Sequence, residues 1–125
     1  MQIQIRRLAH AVVAAPDGRI DHLGAGPFQA ALQPLLDEAC ATGRALVLDF
    51  SGVEYISSVG LRVLMIAAHQ MQGRPAHLVV ASLQAGVVEI FAISRFNRVL
   101  TVVPTLDDAL ALCELPPGVA SAPSR

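Results

Sequence analysis

A single α/β domain built on a mostly parallel β-sheet is what this sequence predicts, and three features predict it. Short β-like runs alternate along the chain with longer stretches of helical periodicity. The run Ala45 to Phe50 (A-L-V-L-D-F) is short, almost wholly apolar and bounded by turn residues. The intervals between the later strands are long enough to hold a helix. A nearly continuous apolar run reads as a strand buried on both faces, hence central in a sheet. Strands separated by helices require crossover connections, which make most of the sheet parallel and the crossovers right-handed.

The elements follow in order. Ile3 and Ile5 alternate with Gln2 and Gln4, His10 to Ala15 is a second β-like run, and Pro16-Asp17-Gly18 ends it, so the chain opens with a hairpin-like pair of strands. From about Ala25 to Thr42, Phe28, Leu32, Leu35, Leu36 and Ala39 recur at helical spacing, and Gly43 supplies a stop signal. Pro34 interrupts this stretch. Proline lacks an amide donor and clashes with the carbonyl four residues back, so the helix is expected to kink near Ala30 or else to start late. After the Ala45 to Phe50 strand come a helix over Val59 to Gln72, a strand over His77 to Ala81 and a helix over Gln84 to Ile93. A strand over Val99 to Val103 follows, then a last helix from about Leu106 to Cys113 capped by Thr105. From Leu115 onward the sequence P-P-G-V-A-S-A-P-S-R has no periodicity. The expectation is a domain over residues 1–114 and a disordered tail over 115–125.

Composition narrows the functional classes. A chain of 125 residues holds one core. Charged residues are 15% of it, below the roughly 25% usual for soluble domains, while 54% are hydrophobic, so some apolar surface is expected to remain for a partner. With a net charge of −1, a single Tyr and four Phe, the chain has neither a basic field nor stacking platforms, which excludes nucleic acid as a ligand. The longest unbroken apolar run, Val63 to Ala68, is far short of the roughly 20 residues of a spanning helix. Arg6 and Arg7 precede any apolar stretch, unlike the order of a signal peptide. A soluble, cytoplasmic protein with no membrane partner is expected. Cys40 and Cys113 have no Cys-x-x-Cys spacing and read as buried free thiols.

The chemistry concentrates between Asp49 and Leu61, where the central strand leads into a helix and Ser57 and Ser58 stand at the helix start. In open α/β sheets, the carboxyl ends of strands and the helix N-termini beyond them form the ligand-facing edge. The plainest reading is that Ser58 caps the helix, a contribution of about 1 kcal/mol. The capping-box partner is missing, since Leu61 stands three residues on. A hydrolase reading would need the Gly-x-Ser-x-Gly elbow, but Ile56 occupies the place of the first glycine. His10, His22, His69 and His77 lack the i, i+4 spacing of a shared metal-binding face. No phosphate-cradling glycine motif occurs, and Gly18, Gly24 and Gly26 read as turn residues. No cofactor, metal or catalytic residue is expected.

Taken in order, these segments resemble the STAS domain, shared by anti-sigma-factor antagonists and the cytoplasmic parts of sulfate transporters. Gly18-Arg19-Ile20-Asp21 is similar to the family's Gly-x-Leu/Ile-Asp ahead of the first helix, and Asp49-Phe50-Ser51-Gly52-Val53 to its central strand end. Tyr55 to Leu61 is similar to its phosphorylation motif of aromatic, Ile/Met, Asp or Ser, Ser/Thr, small residue, Gly, Leu. The resemblance implies phosphorylation at Ser58, with Ser57 as the alternative acceptor. It also implies a partner-binding surface of Asp21, Tyr55, Ser57, Ser58, Val59, Gly60 and Arg62, although Arg62 also reads as a solvated surface charge. The implied function is that of a non-enzymatic anti-sigma-factor antagonist in a partner-switching scheme. The unphosphorylated form captures an anti-sigma factor that is also a serine kinase of the histidine-kinase-like ATPase type. Phosphorylation ends the capture, and a PP2C-type phosphatase reverses it. Ser57 stands where many antagonists carry Asp, and Val59 where a small residue is usual. A chain that begins at Met1 without a membrane part argues against the transporter branch. The alternative is a STAS accessory subunit of a lipid-transport ABC complex that never needs phosphorylation.

Overall fold

A computed structural model describes residues 2–73, 78–96 and 100–113. Strands β1 (Ile3–Arg7) and β2 (Ala11–Pro16) form the antiparallel opening pair, in register from Ile3 opposite Pro16 to Arg7 opposite Val12. The chain then runs through β3 (Gly18–Ile20), α1 (Ala25–Thr42), β4 (Ala45–Asp49), β5 (Val53–Ile56) and α2 (Ser58–Met71). It ends with β6 (Leu78–Ala81), α3 (Ala85–Ile93), β7 (Thr101–Val103) and α4 (Leu106–Cys113). The main sheet has the order β1-β2-β4-β6-β7, and every pairing except β1–β2 is parallel. The apolar run expected at the centre is there: β4 is the middle strand, and Leu46, Val47 and Leu48 are inaccessible to solvent.

The two-residue period of the strands divides the core. Val12, Ala14, Leu46, Leu48 and Val80 pack on one face of the sheet with the buried residues of α1, α2 and α3. Ala11, Val13, Ala45, Val47, Val79 and Ala81 face the other way, where Ala109 and Cys113 of α4 cover them. Small side chains on this second face suit a short helix lying close to the sheet. On the first face the rings of Phe28 and Phe50 meet edge to face, with centroids 6.4 Å apart, locking α1 over the carboxyl end of β4.

Helix α1 starts at Ala25, so the late start is ruled out, and it runs as one 18-residue element through Pro34. Ala30 and Pro34 both lie on its exposed side, where water can hydrate the carbonyl that proline leaves without a donor. It ends at Gly43, whose φ of 73° suits glycine and whose amide donates to Ala39 O at 2.9 Å. At α4 the expected cap is in place, with Asp108 N donating to Thr105 Oγ1 at 3.1 Å.

Several boundaries differ from the sequence expectation. Helix α2 begins one residue early, at Ser58, and Gln72 lies just beyond its end; α3 begins at Ala85 with Gln84 as its N-cap. Strands β6 and β7 begin at Leu78 and Thr101, while His77, Val99 and the tail expected over 115–125 lie outside the described residues. Cys113 is buried and outside any disulfide, as is expected, but Cys40, also outside any disulfide, is only half-buried. The larger difference is β3 and β5, which form where only connections are expected. They pair in parallel as a separate two-stranded sheet. No helix among the described residues is long and apolar enough to cross a membrane.

Candidate functional site

The small sheet assembles the site. Gly18 N donates to Gly52 O at 2.9 Å, and the register then sets Arg19 against Tyr55 and Ile20 against Ile56. Ile20 and Ile56 are buried, which turns Arg19 and Tyr55 to the opposite, outer side. There the Arg19 guanidinium lies 4.5 Å from the centroid of the Tyr55 ring, a cation–π contact that stiffens both side chains. Beyond the strands the pairing continues for one more bond: Ser57 N donates to Ile20 O at 2.9 Å.

Asp21 follows Ile20 and folds the entry to α1. Its Oδ1 accepts from Leu23 N at 3.1 Å and Gly24 N at 3.0 Å, while its carbonyl accepts from Ala25 N at 2.9 Å. The Gly24 amide above all holds the Asp21 carboxyl below the usual carboxylate range, against a smaller opposing effect of partial desolvation; Leu23, His22 and Arg19 add to the lowering. Arg19 Nε is 3.9 Å from Asp21 Oδ2, a long and exposed pair. The same turn pushes Leu23 outward, 75% exposed.

At the start of α2 the two serines have different jobs. Ser57 has extended backbone (φ −87°, ψ 174°), and its Oγ accepts from Gly60 N at 3.2 Å, so Ser57 rather than Ser58 is the N-cap. Ser58 is the first helical residue; its side chain is exposed and makes no hydrogen bond among the described residues. Gly60 is buried because the turn presses on both small strands. A Cβ there would stand 2.7 Å from Ile56 Cγ1 and 2.8 Å from both Ile20 Cγ2 and Ile20 O. Val59, 47% exposed, and Arg62 share the outer surface with Ser58, while Leu61 turns inward.

The structure therefore brings Asp21, Tyr55, Ser57, Ser58, Val59 and Arg62 to one end of the small sheet. Gly60 underlies them as packing, and the Ser57 hydroxyl is already engaged. Sequence reasoning missed two members, Leu23 and Arg19. An apolar residue beside Asp21 in a turn was the signal for Leu23; nothing in the sequence signalled that Arg19 would lie on Tyr55. A second tether holds the loop after β4, where Gln84 Nε2 at the head of α3 donates to Ser51 O at 2.8 Å. His10, His22 and His69 are exposed, and no group of three or more His, Cys, Asp or Glu able to hold a metal occurs among the described residues.

An exposed hydroxyl at a helix start shares this end of the small sheet with the exposed aliphatic side chains of Leu23 and Val59 and with two arginines, on a domain of the layered α/β class. Its relatives share that fold. The family described as "Mlab, STAS domain" matches residues 3–104. Over 111 residues, 89% of this chain and 93% of the relative, the sequence is 30% identical to BtrV of Bordetella bronchiseptica, named as an anti-sigma factor antagonist. The crystal structure of a Thermotoga maritima protein also named as an anti-sigma factor antagonist superposes with a TM-score of 0.81 at 16% identity, covering 90% of this chain and 95% of that one. The Bacillus cell-fate determinant SpoIIAA in its phosphorylated form shares the fold with a TM-score of 0.60 at 14% identity, covering 88% and 97%. The chain belongs to the STAS domain family, and within it resembles the anti-sigma factor antagonists.

Proposed function

We propose that this STAS domain is a cytoplasmic, phosphorylation-controlled binding switch rather than a catalyst. Its unphosphorylated form binds an anti-sigma factor that is also a serine kinase of the histidine-kinase-like ATPase type, through the surface around Asp21, Leu23, Tyr55, Ser58, Val59 and Arg62. The kinase ends its own capture. Ser58 Oγ attacks the γ-phosphorus of ATP, the O–P bond forms as the bond to ADP breaks, and the hydroxyl proton passes to a base of the kinase. A PP2C-type phosphatase hydrolyses the ester and restores the binding form.

The observation that carries this reading is the division of labour between the serines. The Ser57 hydroxyl is tied to Gly60 N, whereas Ser58 is exposed and structurally unencumbered, which makes it the acceptor a kinase can reach. Its place at the first turn of α2 also suits an anion, since the helix end presents unpaired amides and the positive end of the dipole. SpoIIAA, a protein of the same fold with a known phosphorylated form, supports the reading by analogy. The test is to incubate the protein with its cognate kinase and ATP and to localise the phosphate by peptide mass spectrometry. One phosphate on Ser58, abolished in Ser58→Ala, is the expected result. Phosphate on Ser57 overturns the assignment to Ser58, and none with a kinase shown to bind overturns it in favour of the accessory-subunit role.

A further inference from the structure

The buried positions of α2 are Gly60, Leu61, Val63, Leu64, Ala67 and Met71, which leaves Ser58 and Arg62 one turn apart on its outer face. Side chains four residues apart on a helix have Cβ atoms about 5–6 Å from each other, and an anion placed N-terminal to a cation is the favoured order. Arg62 makes no ion pair or hydrogen bond with any other described residue. By contrast, Arg7 and Arg44 pair with Glu38, and Arg19 is held over Tyr55 beside Asp21. Ser57 Oγ already occupies the Gly60 amide, which leaves a phosphoryl group on Ser58 the Ser58 and Val59 amides at the helix start and, along the outer face, the Arg62 side chain.

From this we infer that Arg62 is the intramolecular clamp for the phosphoryl group on Ser58, an inference that rests on the reading of Ser58 as the modified residue. A guanidinium fork donates two parallel N–H bonds to two phosphate oxygens, a geometry that a point charge cannot reproduce. The other nearby cation is worse placed. A phosphate swinging toward Arg19 meets the Asp21 carboxylate, whereas α2 itself carries no acidic residue from Val59 to Gln72. Modification thus changes the surface twice: it adds negative charge at Ser58 and removes Arg62 from the docking surface by pairing it internally.

Phosphoserine installed at position 58 by genetic code expansion tests the clamp without any kinase. The readout is the second ionisation of the phosphate, followed by ³¹P NMR against pH at low ionic strength. Pairing with a cation favours the dianion, so the midpoint in the parent is expected to lie about 0.3–1 unit below that in Arg62→Gln. Arg62→Lys, which keeps the charge without the fork, should fall between them, and Arg19→Gln should match the parent. Equal midpoints in the parent and Arg62→Gln, or a rise in Arg19→Gln instead, overturn the clamp. Because the phosphate is built in, its failure is distinct from failure of the kinase reading, which would show as no phosphate on Ser58 after reaction with kinase and ATP. Arg62 is exposed, so its variants should fold, and a melting curve for each checks this.

Discussion

The amide of Ser57 donates to the carbonyl of Ile20 at 2.9 Å. That bond extends the β3–β5 pairing by one residue and holds Ser57 in an extended conformation, so that α2 starts at Ser58. It also joins two of the three short segments on which the family resemblance rests: the turn at Asp21 and the serines at the head of α2 are neighbours because two small strands pair beneath them.

The serines should separate in a stability measurement. Ser57→Ala removes the N-cap acceptor and should lower stability by about 1 kcal/mol, whereas Ser58→Ala, at an exposed site without a partner, should stay within about 0.5 kcal/mol of the parent. Urea denaturation with a common slope reads both. A larger loss in Ser58→Ala than in Ser57→Ala would mean that the helix starts elsewhere in solution.

Phosphate on Ser58 should act on the interface and leave the fold intact. It adds a charge of about −1.5 to −2 at a helix start, where it is tolerated locally, but a docked kinase would bring acidic groups and a nucleotide against it. Partner affinity is expected to fall at least about tenfold, which needs only about 1.4 kcal/mol. Ser58→Asp should lose part of that affinity and Ser58→Ala none. Affinity and melting temperature are measured together for the three proteins. Equal affinities remove the switch, and a collapsed melting temperature would place the effect in the fold.

Two glycines in helices should respond oppositely to alanine. At Gly60 a Cβ meets Ile56 and the backbone of Ile20 at under 3 Å, so Gly60→Ala should destabilise by about 1–3 kcal/mol despite alanine's better helix propensity. Gly86 in α3 has open space around it, and Gly86→Ala should stabilise by up to about 1 kcal/mol. Thermal melts of both variants test the contrast. A neutral Gly60→Ala would show that α2 does not rest on the small sheet.

Asp21 should contribute to acid sensitivity. Its carboxyl titrates lower in the folded protein, chiefly through the Gly24 amide, so its ionisation stabilises the fold above the unfolded-state pKa of about 3.9. That contribution is lost as pH falls through the lower folded value. Asp21→Asn keeps an accepting oxygen but does not ionise. The melting-temperature gap between parent and Asp21→Asn should be constant from neutral pH down to about 5 and close below about 4. A gap that persists unchanged at pH 2 would assign the effect to the turn geometry alone.

The elements that bury a continuous pattern were legible in the sequence. The central place of β4 follows from Ala45 to Phe50 being apolar on both sides, because only a strand covered on both faces can bury such a run. The span of α1 follows from its apolar stripe and the glycine at position 43, and the cap of α4 from Thr105. The neighbourhood of Ser58 was also legible, as a loop leaving the carboxyl end of that central strand. Tertiary structure alone decided the rest. Strands β3 and β5 are three and four residues long, too short for a two-residue alternation to stand out, and each becomes a strand only by pairing with the other across a long stretch of intervening chain. Which serine caps α2 turned on the same pairing. Position 57 or 58 could supply a capping oxygen, and the choice fell to Ser57 because Ile20 O takes its amide and keeps its backbone extended, freeing the hydroxyl of Ser58.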